Sequence, residues 1–193
     1  MIRSTSIPFS DILAYVRALA LLDGDPVRPS RLRQETGISE TTQKHLLHAL
    51  ESVFMIRQFA IEGERKGTAV FFEDQAEALH LAEDRLDPHR AFENLVYRNI
   101  RATYFYEHGL NFRVFQFRMR PDIGVPFAFA TKEGTLGILP IEGTHSSRAE
   151  LRSAHRFLQQ YSRANVLLVT RGTPDTVIEE PRILRIPAER LLF

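Results

Sequence analysis

The sequence predicts a mixed α/β (α+β) chain in two parts, and three observations carry that prediction. Up to about residue 74, apolar residues recur three times at helical spacing and then twice at strand spacing. From about residue 88 the order becomes helix, three strands, helix, strand and a trailing strand, which calls for a mixed sheet flanked by helices. Between them, "QAEALHLAEDRLDP" reads as a connecting segment with one weak helix. The expected organisation is therefore a first domain over 1–74, a linker over 75–87 and a second domain over 88–193.

Composition narrows the function classes. A hydrophobic fraction of 44% and a charged fraction of 25% suit a globular chain with a real core. The net charge of +1 gives no global field toward nucleic acid or membrane, so any basic patch must be local. With no cysteine, a disulfide framework, a zinc–thiolate site and a thiol nucleophile are excluded. The start "MIRSTSIPFS" has no apolar leader and no later run is long enough for a bilayer, so a cytoplasmic protein is expected. "GERKGT" places its lysine before the glycine and cannot form a triphosphate-binding loop, so no nucleotide is expected.

In the first part, "FSDILAYVRALALL" spaces Ile12, Leu13, Val16, Leu19 and Ala20 on one helical face, with Ser10 as the expected cap. "RPSRLRQETG" starts a second helix at Pro29 and Ser30 and stops it at Gly37. Ser39 caps a third, whose buried side is drawn by Leu46, Leu47, Leu50, Val53 and Phe54. The tight turn at Gly37 is a helix-turn-helix signal. The strand-like "FMIRQFAIE" and "TAVFFED", joined by "GERKG", complete a winged-helix order. In that arrangement Ser39, Thr41, Thr42, Lys44, His45 and His48 are candidates for phosphate and base contacts, with Arg65 and Lys66 reaching from the wing. Winged helices also serve as protein-docking modules. Glu40, Glu51, Glu62 and Glu64 bring the local charge near balance, against strong non-specific DNA binding. His45 and His48 share a face but lack a further ligand for a metal.

In the second part, Asp87 and Pro88 open a helix that Gly109 ends, with a core face drawn by Phe92, Leu95, Val96, Ile100 and Thr103. Glu93 falls at the margin of that face. Strands are expected in "NFRVFQFRM", "IGVPFAFA" and "TLGILPIEG", then a helix in "SSRAELRSAHRFLQQYS" and strands in "NVLLVT" and "RILRIP". Asp122 stands at the start of the second strand and Glu142 near the end of the third. His145 joins Glu142 as a ligand only if that strand has ended by Gly143. Arg98, Arg101, Arg113, Arg118, Arg120, Arg148, Arg152 and Arg156 either line a basic groove or are the solvated faces of their elements. Arg113, Arg118 and Arg120 are also ready partners for the two acids.

A glutamate in the helix, "PD" before a strand and "IEG-T" at the end of the next resemble the PD-(D/E)XK nuclease superfamily, which has a restriction-endonuclease-like fold. Together with the preceding winged helix, "LRQETGISETTQKHLLHALESVFMIRQF", "AVFFED", "AFENLVYRNI", "PIEGTHSS" and "RILRIPAERLLF" resemble the C-terminal region of bacterial and archaeal AAA-type ATPases, here without the ATPase domain. The resemblance implies DNA and an ATPase or other protein as partners, and no membrane. It implies Mg²⁺ or Mn²⁺ held by Asp122 and Glu142, side by side on neighbouring strands, with Glu93 assisting. Threonine occupies the family's lysine position at Thr144, so a hydroxyl replaces an ammonium. Loss of one such electrostatic partner costs roughly 10²–10³ in rate. Arg148 or Arg152 would have to substitute with different geometry. The expectation is a nucleic-acid-binding chain with a degenerate, inactive nuclease-like domain. The alternatives are a Mg²⁺-dependent endonuclease and a protein-interaction module.

Overall fold

The computed structural model describes residues 7–63, 67–83, 85–120, 122–172 and 175–191. The chain divides into two units, Met1–Gln58 with Thr68–Asp87, and Phe59–Gly67 with Pro88–Phe193. Residues 75–87, expected as a linker, fall in the first unit. No helix among the described residues is long and apolar enough to cross a membrane.

The first unit holds helices α1 (Phe9–Ala20), α2 (Pro29–Thr36), α3 (Glu40–Ser52) and α4 (Gln75–Leu81). Pro8, not Ser10, precedes the first helical residue, and the Ser10 hydroxyl turns to Asp11 instead. Gly37 ends α2 with φ 73°, a left-handed value at which a Cβ is costly, and Ser39 caps α3 by accepting from the Thr42 N–H. Tyr15, Leu19, Leu32, Leu47, Ile56, Val70, Phe72, Ala78 and Ala82 form one core. Gln43 is buried within it, its amide donating to the Pro29 and Ile38 carbonyls at 3.1 and 2.9 Å. That pair of bonds fastens the α2–α3 turn. The expected buried face of α3 needs correction at its end. The helix stops at Ser52, and Val53 and Phe54 (φ 59°) emerge into solvent, 70% and 67% exposed.

Strands β1 (Ile56–Glu62) and β2 (Gly67–Phe72) follow α3. Beyond them come α5 (Pro88–His108), β3 (Arg113–Arg120), β4 (Ile123–Ala130), β5 (Thr135–Ile141), α6 (Arg148–Gln160), β6 (Ala164–Thr170), β7 (Val177–Glu180), β8 (Ile183–Pro187) and a final 3₁₀ turn. The mixed sheet has the order β2-β1-β3-β4-β5-β6-β8-β7. In the second unit β3, β4 and β5 are antiparallel neighbours, while β5, β6 and β8 run parallel. The β5–α6–β6 crossover supplies that parallel pair. β7, with only four residues and two acids, is an element that the sequence pattern does not show.

The alternation of the strands divides the aromatic side chains between two sheet faces. On one face Tyr97 stacks on Phe127 at 5.0 Å and Tyr104 meets Phe129 at 4.8 Å, which seats α5. On the other, Phe115, Phe117, Leu139 and Ile141 pack with Ala154, Phe157 and Leu158 of α6. Gly137 lets the Phe157 ring lie against the backbone, since a Cβ there would come within 2.7 Å of that ring.

Candidate functional site

The carboxylates expected to form a site lie at the end of the sheet where β5 finishes and β4 begins. β5 ends at Ile141, so Glu142 follows the strand instead of occupying it. Counting by two from Ile138, which pairs with Phe127, carries Glu142 to the α5 face. A β-bulge between β3 and β4 sets Val125 opposite Phe117, on the α6 face, although Phe127 faces α5. Asp122 lies in the turn before β4 and is exposed.

Glu93 differs most from expectation. It is 5% exposed, whereas Leu95, expected in the core, is 46% exposed. The buried residues of α5 are Phe92, Glu93, Asn94, Val96, Tyr97 and Ile100, a face rotated toward Glu93. Such a carboxylate must be compensated. Arg90 Nη1 donates to its Oε2 at 2.7 Å, and His89 Nε2 lies 3.5 Å from its Oε1. The other ring nitrogen, Nδ1, lies 3.5 Å from Glu142 Oε1. His89 is thus a wedge between the two glutamates.

Electrostatics follow from this packing. Burial pushes the Glu93 carboxyl upward, but the His89 and Arg90 hydrogen bonds and charges outweigh it and hold the group below its ordinary value. The hydrogen bond to Glu93 raises His89 against the opposing effect of burial. Arg171 encloses the same end of α5, donating to the Pro88 carbonyl at 2.7 Å and lying over the Phe92 ring.

Sequence reasoning missed His89, Arg90 and Arg171. The available signal was spacing: His89 and Arg90 precede Glu93 by four and three residues, the distances at which helical side chains meet.

Thr144 does not reach this cluster as a replacement for lysine. Its hydroxyl and His145 Nδ1 lie 2.8 Å apart, and its carbonyl accepts from Arg185 Nη1. Arg185, only 8% exposed, also pairs with Glu179 at 2.9 Å, so the loop after β5 is tied to β7 and β8. Arg113 pairs with Glu62 rather than with a site acid.

A divalent ion does not fit the side chains as they stand. Both Glu93 oxygens face protein cations, and a raised imidazole faces Glu142. Among the described residues no group of three or more His, Asp or Glu side chains is placed to hold a metal ion.

On the first unit, Thr41, Lys44, His45 and His48 are exposed at positions three, four and seven apart, forming one outward stripe of α3. Ser39 is exposed at the cap and Thr42 is half-buried. Arg65 and Lys66 lie outside the described residues. The first unit carries eight Lys and Arg against twelve Asp and Glu, whereas the second carries seventeen against twelve. No protein-family model matches this chain, and no curated protein is detectably similar to it in sequence.

Proposed function

We infer that this protein binds nucleic acid without cleaving it, as a winged-helix unit followed by a nuclease-like unit whose carboxylate site has become an internal ion-pair network. The observation that carries the reading is the His89 wedge. Where the resemblance implies two acids open to a metal, Glu93 is closed by Arg90 and His89, and Glu142 faces the same imidazole. Thr144 brings no ammonium to orient a water or stabilise developing charge. Binding is supported by the exposed Thr41–Lys44–His45–His48 stripe and by the positive balance of the second unit. The companion ATPase implied by the resemblance belongs to the same reading.

The test is fluorescence anisotropy of a labelled duplex mixed with the protein and Mn²⁺, followed over time at two salt concentrations. A stable, salt-sensitive rise is expected. A rise that decays as fragments form would restore metal-dependent hydrolysis, and no rise at either salt would point to a protein-docking module.

A further inference from the structure

The strongest unabsorbed feature is the outward side of α6. Arg148, Arg152 and Arg156 follow one another at four-residue intervals and all three are exposed. At 1.5 Å of rise per residue they stand about 6 Å apart along the axis, a row about 12 Å long. The outward positions between and beyond them are Ala149, Gln159 and Gln160, none acidic.

The one acid on the helix, Glu150, is turned back into a capping box with Ser147. Glu180, which reaches α6 from β7, is engaged by His155 at 2.8 Å. Among the described residues no carboxylate forms an ion pair with any of the three arginines, and Arg156 bonds only to the neutral Gln159. Arg98, Arg120 and Arg163 of the second unit likewise form no ion pair among the described residues, but only on α6 do three exposed arginines recur at four-residue spacing. Other arginines are paired. Arg17, Arg31, Arg57 and Arg85 of the first unit pair with Glu83, Glu35, Glu73 and Glu83, and Arg90, Arg113 and Arg185 of the second pair with Glu93, Glu62 and Glu179.

We propose that the outward face of α6 is a phosphate-backbone track, with Arg148, Arg152 and Arg156 each neutralising one phosphate of a bound nucleic acid. This rests on the nucleic-acid reading above and moves the main electrostatic contact from α3 to the second unit. Guanidinium suits the role because it stays charged and presents a planar fork to phosphate oxygens. The absence of exposed aromatic or large aliphatic side chains on this face argues against membrane insertion, which needs an apolar face as well as charge. With no base-reading geometry on the row, it positions the ligand without reading its sequence.

The experiment compares the intact protein with R148Q/R152Q/R156Q on two labelled duplexes of unrelated sequence across a salt series. Glutamine keeps helix propensity, and circular dichroism checks the fold. Three lost phosphate contacts should flatten the slope of log K against log salt by about 2–3 units, equally on both duplexes. R17Q/R31Q/R85Q removes the same charge from paired positions in the first unit and should leave the slope unchanged. If the intact protein binds but the α6 variant keeps its slope, the track is overturned while nucleic-acid binding stands. If both triple variants flatten the slope alike, the effect is net charge and the track is again overturned. If the intact protein binds no duplex, both readings fail. α6-dependent binding to phosphatidylserine vesicles in place of duplex would reassign the row to a lipid surface.

Discussion

Each unit buries a carboxylate, and the hydrogen bonds seen at the two differ in kind. In the first unit Asp23, 1% exposed, accepts from the Phe72 backbone N–H at 2.9 Å and holds β2 through a donor that does not titrate. In the second unit Glu93 is held by side chains that carry charge, one of them an imidazole whose pKa the Glu93 hydrogen bond raises. The first arrangement anchors backbone. The second makes local stability depend on cations supplied by neighbouring turns and on the medium.

Removing one member of each arrangement breaks that comparison most sharply. Arg90→Ala leaves Glu93 buried with only His89 beside it and should cost about 3 kcal/mol, since breaking a buried pair strands a charge. Chemical denaturation followed by circular dichroism measures it, and amide hydrogen exchange should place the loss in α5. Asp23→Ala strands the Phe72 N–H and should cost about 1–3 kcal/mol, seen as faster exchange in β2, with Asp23→Asn losing less. If Arg90→Met, which keeps most of the stem, lost far less than Arg90→Ala, the stem of the arginine would matter and not its charge.

Titration sharpens the same contrast. His89 is raised in the folded state, so its contribution is fully present below its ordinary value near 6.5 and disappears as pH rises through the raised value. Glu93 is lowered, so its contribution is present above the ordinary carboxylate value and is lost as pH falls through the lowered one. The second unit should therefore lose protection in α5 on going from pH 6 to more alkaline buffers, and His89→Gln should remove that drift. An alkaline drift that survived His89→Gln would assign it to another group.

Much of the backbone was legible because its signals are local. β4 was expected over "IGVPFAFA" and occupies Ile123–Ala130, and Gly37, Ser39 and Gly109 end or cap their helices through chemistry that one or two residues define. The failures occurred where tertiary contacts decided. Apolar periodicity put Leu95 inside and Glu93 at the margin, but stacking of Tyr97 on Phe127 and the presence of two cations rotate the helix the other way. Val53 and Phe54 look like core in a linear reading, yet the left-handed Phe54 turns the chain toward β1 and leaves both outside. Thr144 was legible as a residue without an ammonium. That its carbonyl is claimed by Arg185, more than 40 residues later, was not.

β1 carries a practical consequence. Its residues Ile56–Gln58 belong to the first unit and Phe59–Glu62 to the second, where Ala60, Ile61 and Glu62 run parallel to Phe115, Gln116 and Phe117. Glu62 also meets Arg113 and accepts from the Tyr161 hydroxyl at 2.8 Å. A fragment begun at Pro88, the natural place to cut by sequence, leaves β3 as a raw strand edge bearing "VFQF", an open template for another chain. Self-association of such a fragment would report the missing strand, not a native oligomer.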